Sequence, residues 1–412
     1  MFWYWLLAGP ALVLAVLSLR SERKRAAYVA RRLSEASEYL PPASVIVPVK
    51  GEDEGLRENL TALASLDYPD YELLVVARTA ADIPPGVLPA QVKIVLAHGA
   101  GGHAAGKVQH FSWGAQSCPQ PPFRAGPPGP TVPHTAEKVQ NLQAAVKAVR
   151  KRSQILAFAD SDIRVTRGWL RALAAPLAEP GVGAATGYRW FIPRPPTFWA
   201  LMRGVWDAVV AGTLGPGDNR FAWGGAMAIR KETFLEARVA AYWRNTLSDD
   251  YALSAAVHAA GLAIAYAPGA LAPCLDHITA AGFFRWMRRQ LAIARVYNPR
   301  QWWPALVAHV FYCGGMAASV VAAAKGYRLA ELALGVQLFA GMWKGFHRAA
   351  LAKAALPEYA AWFRRHAWVF TVWVPLATWV WLVGLAASAF GNSIEWRGYR
   401  YGLKRGAGII ST

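Results

Sequence analysis

The sequence predicts an α/β fold. A doubly wound, mostly parallel sheet sits between one apolar helix at the N-terminus and two to three near the C-terminus. Three observations predict it. Short apolar runs alternate with helical stretches between residues 41 and 275, the rhythm of strand–helix–strand units. One such run, residues 155–159, ends on Asp160-Ser161-Asp162, as a buried strand does on entering a site at its carboxyl end. Long apolar stretches are confined to residues 2–19 and 301–391.

Residues 2–19 carry no charge and approach the minimum spanning length. Arg20, Arg23, Lys24 and Arg25 follow and place that end in the cytoplasm. A cleaved signal peptide has its positive charge before the apolar run, so residues 1–20 read as an uncleaved transmembrane anchor. Pro41-Pro42 closes a linker and opens a cytosolic domain over 41–275. Strands are predicted at 45–49, 72–76, 92–96 and 155–159, with helix at 60–66 and 136–149. Residues 98–135 are rich in Gly and Pro and lack an apolar period, the mark of a functional lid or a disordered insertion. A basic amphipathic helix is predicted over 276–300, then membrane helices over 301–391 and a basic tail over 392–412. Within 301–391 the apolar stretches are 302–324, 329–343 and 368–390. Three spans after a cytoplasmic domain put the tail outside, yet Arg397, Arg400, Lys404 and Arg405 favour the inside. The middle stretch is short and carries Glu331, so it reads as re-entrant or interfacial. No internal repeat is visible.

The chain has 412 residues, 55% of them hydrophobic, with 19 tryptophans and a mean hydropathy of +0.20. That is apolar for a soluble enzyme, and Trp gathers at membrane interfaces. A net charge of +19 points to an anionic partner. The basic residues crowd beside apolar spans, at 20–32, 285–300 and 344–365. An anionic membrane surface is therefore the expected partner, in an integral, multi-pass membrane protein with a cytoplasmic catalytic domain. No nucleic-acid module appears, so nucleic acid is not an expected partner. Cys118, Cys274 and Cys313 are too few and scattered for a disulfide framework or a zinc site.

Asp160 and Asp162 lie two apart, so on an extended chain both carboxylates face one way. Two hard oxygen ligands beside an open crevice suit Mg²⁺ or Mn²⁺ shared with a substrate's phosphates. A solvated strand-end turn is the plainer alternative. A second pair, Asp249-Asp250, opens a helical pattern at Leu253, Ala256, Val257 and Ala260. Acids there serve as a cap, or as a general base beside a cleft. Gly224-Gly225 allows close backbone approach to a donor ligand, or makes a tight turn before a strand; Trp223 beside it can stack on an acceptor sugar face. Lys138 can meet a phosphate and Asn141 a ribose or base edge, unless their helix is merely amphipathic. Arg285, Arg288, Arg289 and Arg295 repeat at helical spacing, for anionic lipid or for a departing diphosphate.

In order, residues 45–50, 138–142, Asp160-Ser161-Asp162, Trp223-Gly224-Gly225 and Asp249-Asp250-Tyr251 resemble the inverting GT-A glycosyltransferases of family 2, in their ceramide glucosyltransferase-like branch. The tail from Ile394 to Tyr401 resembles the Trp-Arg-Gly-Arg-Arg-Tyr endings found there. The resemblance implies a nucleotide-sugar donor, UDP-glucose above others, and a membrane lipid acceptor such as ceramide. It implies that Asp160 and Asp162 hold the metal-diphosphate and that Asp250 is the base, with Asp249 beside it. The position after the second strand that contacts uracil in this branch falls near Thr79, with Asp82 three residues on. The branch's Gln/Arg-x-x-Arg-Trp motif departs here to Arg289-Gln290-Leu291-Ala292-Ile293, leaving Arg288, Arg289 or Arg295 to substitute and Gln290 toward the acceptor. That departure argues against a processive polymer synthase. A polyprenyl-phosphate sugar transferase, an exopolysaccharide synthase and an inactive scaffold are the competing readings.

Overall fold

The computed structural model describes residues 2–97, 107–109, 135–396, 399–404 and 408–410. The predicted 98–135 insertion lies outside these residues, apart from a short strand at 107–109 and Thr135.

Helix α1 (Phe2–Ser34) leads into β1 (Ala43–Pro48), α2 (Leu56–Ala64), β2 (Tyr71–Ala77), β3 (Lys93–Leu96) and β4 (Lys107–Gln109). Next come α3 (Glu137–Ala148), β5 (Ile155–Ala159), α4 (Trp169–Ala174), β6 (Val182–Phe191), α5 (Phe198–Ala211) and β7 (Ala226–Arg230). Then follow α6 (Lys231–Glu236), α7 (Val239–Tyr242), α8 (Asp249–Ala259), β8 (Ala263–Cys274) and α9 (Ala280–Tyr297). The eight strands form one sheet in the order β4-β3-β2-β1-β5-β7-β6-β8. Only β4 and β7 run against the others. Helices cover both faces, so the inner strands are apolar on both sides. In β1, Val45 and Val47 join one core and Ile46 the other; in β5, Ala157 and Ala159 oppose Leu156 and Phe158.

The C-terminal helices are α10 (Pro299–Ala324), α11 (Arg328–Ala355), α12 (Ala360–His366), α13 (Val369–Val372) and α14 (Val374–Ala389). Two helices, over Trp3–Ser34 and Pro299–Ala324, are long and apolar enough to cross a membrane. The middle helix is not the short element predicted. It continues for 28 residues, about 42 Å at 1.5 Å per residue, packed against α1 and α10. Glu331 sits in its first turn, where the helix dipole favours an acid. The short one is α14, with 16 residues.

Helix α1 is packed, not free. Its small residues Ala8, Ala11 and Ala15 are buried while Trp3, Leu6, Val13 and Leu17 stay exposed. A Cβ on Gly315 of α10 would lie 2.7 Å from the Ala11 methyl, so the two helices touch nearly backbone to backbone. Further along, the Tyr28 hydroxyl donates to the Tyr266 carbonyl of β8 (2.6 Å), and the Arg25 guanidinium donates to the Leu214 carbonyl (2.9 Å). Glu22 pairs with both Arg25 (3.2 Å) and Arg348 of α11 (3.0 Å), all three side chains nearly enclosed.

The predicted basic tail is instead a folded element. β9 (Ser393–Trp396), β10 (Tyr399–Lys404) and β11 (Gly408–Ile410) make an antiparallel sheet. Ile394, Tyr401 and Leu403 bury themselves in the same core as Ala292 of α9. Period-two alternation places the apolar residues of β10 on one face, a pattern that the charge count conceals.

Gly187 fixes the β6–β8 crossing: a Cβ there would lie 2.2 Å from the Ala270 carbonyl oxygen, beside a register shift. Gly187→Ala is expected to destabilise the protein by about 1–3 kcal/mol, read from thermal unfolding in detergent.

Candidate active site

A cavity of about 520 Å³ opens at the carboxyl ends of β1 and β5. Its wall takes Lys50 after β1, Asp160 to Asp162 after β5, Lys138 and Asn141 from α3, and Asp249 to Tyr251 from α8. Helix α9 covers one side with Arg285, Trp286, Arg289 and Gln290, and Tyr401 of β10 closes another.

Lys138 is the hub. Its ammonium lies 2.8 Å from Asp160 Oδ1 and 3.2 Å from Asp249 Oδ2. Burial lowers its pKa, but Asp160 and Asp249 outweigh that and raise it overall. Asp249 is buried, and burial pushes its carboxyl up to about 6 against the pull of Lys138. The indole of Trp243 holds its backbone carbonyl at 2.9 Å. Asp162 is exposed to the cavity; desolvation by its surroundings, then Asp160, Asp276 and Asp53, push its carboxyl up to about 7.

Ser248, not an aspartate, caps α8, accepting from the Tyr251 amide. Asp250 accepts from the amides of Gly224 (3.3 Å) and Tyr251 (2.8 Å) and from the Ser248 hydroxyl. The turn at Gly224-Gly225 lets the acids converge. A Cβ on Gly224 would lie 2.6 Å from Asp249 Oδ2; one on Gly225 would lie 2.3 Å from the Trp223 ring and 2.8 Å from Asp160 Oδ2. The pair makes the tight turn before β7, as one of its two sequence readings has it.

Of the predicted residues, Lys138, Asn141, Asp160, Asp162, Trp223, Asp249, Asp250, Arg289 and Gln290 line this cavity, with Gly224 and Gly225 behind the acids. Asn141 is 3% exposed, and its Oδ1 accepts no hydrogen bond. Trp223 is only 7% exposed, packed at 5.5 Å from the Tyr188 ring and beneath the Arg189 guanidinium, so it is a wall and not an open platform.

Three predicted residues lie elsewhere. Arg295 donates to the carbonyls of Ala389 and Gly391 (each 2.6 Å) and to Asn392, tying α9 to the start of the tail sheet. Six residues from Arg289 on a helix, it stands about 120° around the axis. Thr79 and Asp82 are outside the cavity lining; the Asp82 carboxylate accepts from the Thr79 amide and hydroxyl, closing a capping box.

Other wall residues were not singled out from sequence. Arg189 of β6 pairs bidentately with Asp207 of α5 (3.0 and 3.2 Å), and Arg203 pairs with Asp276 (2.8 Å). Lys50 and Arg78 meet Glu137 at 2.7 and 3.8 Å. A signal existed: Arg203 and Asp207 sit four apart in an otherwise apolar helix, and Arg189 interrupts an apolar strand.

Among the described residues no cluster of three or more His, Cys, Asp or Glu side chains forms a metal cage. Asp160 and Asp162 still fit a hard divalent cation. They are oxygen donors at a cavity mouth rich in carboxylate, where Mg²⁺ or Mn²⁺ takes one or two protein ligands and substrate phosphates.

A mostly parallel sheet with acids gathered at its carboxyl edge is the arrangement expected from sequence for a GT-A glycosyltransferase. The chain belongs to glycosyl transferase family 21, whose family model it matches over residues 3–88 and 130–409. The class expected from sequence stands, under family 21 in place of family 2. No curated protein matches the chain. Among solved structures it is similar to a mannosyltransferase from Pyrobaculum calidifontis in complex with GDP-mannose and Mn²⁺ (18% identity, TM-score 0.43, covering 93% of this chain and 97% of that one). It is also similar to a mycobacterial protein (18%, 0.37, 65% and 78%) and to GalNAc-T7 with UDP, GalNAc and Mn²⁺ (12%, 0.39, 66% and 51%).

The Lys138–Asp249 pair is testable by double-mutant cycle. Lys138→Met and Asp249→Asn, singly and together, are expected to give a coupling energy of about 0.5–3 kcal/mol in thermal unfolding.

Proposed function

We propose that this glycosyltransferase moves a hexose from a nucleotide-sugar, UDP-glucose first among donors, to a hydroxyl of a membrane lipid such as ceramide, with inversion. One observation carries the reading. Asp160 and the Asp249-Asp250 pair, far apart in sequence, face a single cavity around one lysine and a two-glycine turn.

Asp250 is the general base. It stands at the start of α8, fixed by two backbone amides, with its carboxylate on the cavity wall. It takes the proton of the acceptor hydroxyl as that oxygen attacks the anomeric carbon in line. The new bond forms on the face opposite the breaking bond to the diphosphate, which inverts the centre. Lys138, Arg285 and Arg289 receive the charge on the departing nucleoside diphosphate. A divalent cation on Asp160 and Asp162 supplies further neutralisation of that diphosphate when bound. Asn141, with its unpartnered amide oxygen, suits a ribose hydroxyl or base edge. Trp223 and Gln290 bound the acceptor side.

The charge around the anchor supports a cytoplasmic catalytic domain. Arg20, Arg23, Lys24 and Arg25 follow the first apolar stretch, and α10 is a second candidate span. A multi-pass arrangement suits a base that must meet a lipid head at the bilayer surface.

Purified protein given UDP-glucose and ceramide is expected to release UDP. Asp250→Asn is expected to lower kcat about 10²–10⁴-fold with donor binding retained. Full turnover in that variant removes Asp250 from the role.

A further inference from the structure

A second cavity, of about 160 Å³, adjoins the acid-lined one. The two share Arg189, Trp223, Asp250, Tyr251 and Gln290. Away from that junction its wall is mostly apolar, with Val210 of α5, Leu291 and Ala294 of α9, Ala305 of α10, and Trp381 and Leu385 of α14; Asp207, Thr213, Gln301 and His309 are the polar exceptions. Helix α10 is long and apolar enough to cross a membrane. It turns Trp302, Ala305 and His309 toward this cavity and Trp303, Val307 and Val310 outward. The indoles of Trp206 and Trp381 stack at 4.0 Å with planes 6° apart, which makes one wall flat and stiff.

We infer that this cavity selects the acceptor: it takes one unbranched aliphatic chain, about six carbons deep, whose uncharged hydroxyl end lies at Asp250. The inference rests on the transferase reading above and narrows its acceptor. Size sets the chain. An apolar cavity of about 150 Å³ holds a benzene-sized ligand, so this one has room for about six carbons in single file and none for a fused ring system or a second chain. Charge sets the head. Among the described residues that line it, Arg189 is the one arginine and there is no lysine. That guanidinium is already engaged by both oxygens of Asp207 and flanked by the rings of Trp286 (5.1 Å) and Trp223 (5.5 Å). Asp250 then brings a negative charge to the junction, and the nearby Lys138 ammonium is shared with Asp160 and Asp249. A phosphate-headed acceptor meets repulsion there, whereas a hydroxyl meets a base.

Primary alkanols of one to ten carbons, used as acceptors by the detergent-solubilised enzyme with UDP-glucose, test this. Each buried methylene adds about 0.8 kcal/mol, so kcat/KM is expected to rise about fourfold per carbon up to about six, then level off. Ala305→Phe is expected to move the break in the series to shorter chains, and Val210→Ala to longer ones; calorimetric binding of UDP-glucose reports that each variant is folded. A series that climbs without a break, or whose break stays put in both folded variants, overturns the inference. So does turnover confined to ceramide, or a preference for octyl phosphate over octanol. Absence of UDP release with every acceptor, and of UDP-glucose binding, sinks the transferase reading itself.

Discussion

The structure depends on gathering carboxylates around one ammonium at the edge of a buried sheet. Asp160 and Asp249 share Lys138, and without it two acids in a largely enclosed space would repel. Everything near them is shaped by this. The strand must stop at residue 159 so that Asp160 turns toward the cavity. The turn at 224–225 must be glycine because the acids occupy the space a side chain would fill. Helix α8 must start at Ser248 so that two consecutive aspartates lie in its first turn, near its positive end.

Much of the sheet was legible in the sequence. Strands covered on both faces must be apolar throughout, and the runs at 45–49, 72–76 and 155–159 have no other stable place. The acid pairs were legible because carboxylates beside such runs need a reason to be there. Pairings between distant segments were not. Nothing local says that Arg189 meets Asp207 across β6 and α5, or that Tyr401 reaches the cavity. Arg295 was expected beside Arg289, but six residues carry it about 120° around α9, toward the tail sheet. Thr79 and Asp82, expected at the donor, close a Thr-x-x-Asp capping box outside the cavity lining. The middle C-terminal helix looked too short because its apolar stretch ends at Lys344, although the helix does not; contact with α1 and α10 sustains it.

The site is where the sheet and the helix bundle join. The end of β5 and the start of α8 supply the acids, and α9 supplies the basic and aromatic cover. Helices α5, α10 and α14 then extend the wall into apolar territory. The polarity gradient across one continuous space follows from this arrangement. One end is built by strand termini, where backbone and carboxylates collect, and the other by helix faces that pack tryptophan on tryptophan. Asp250 belongs to both ends.

The contacts of α1 beyond its apolar half have a mechanical meaning. Tyr28 is bonded to β8, Arg25 to the loop after α5, and Glu22 to α11. The first helix is thus a rigid strut and not a leash. If it is embedded, the carboxylates of the cavity keep a constant height and tilt above the lipid surface.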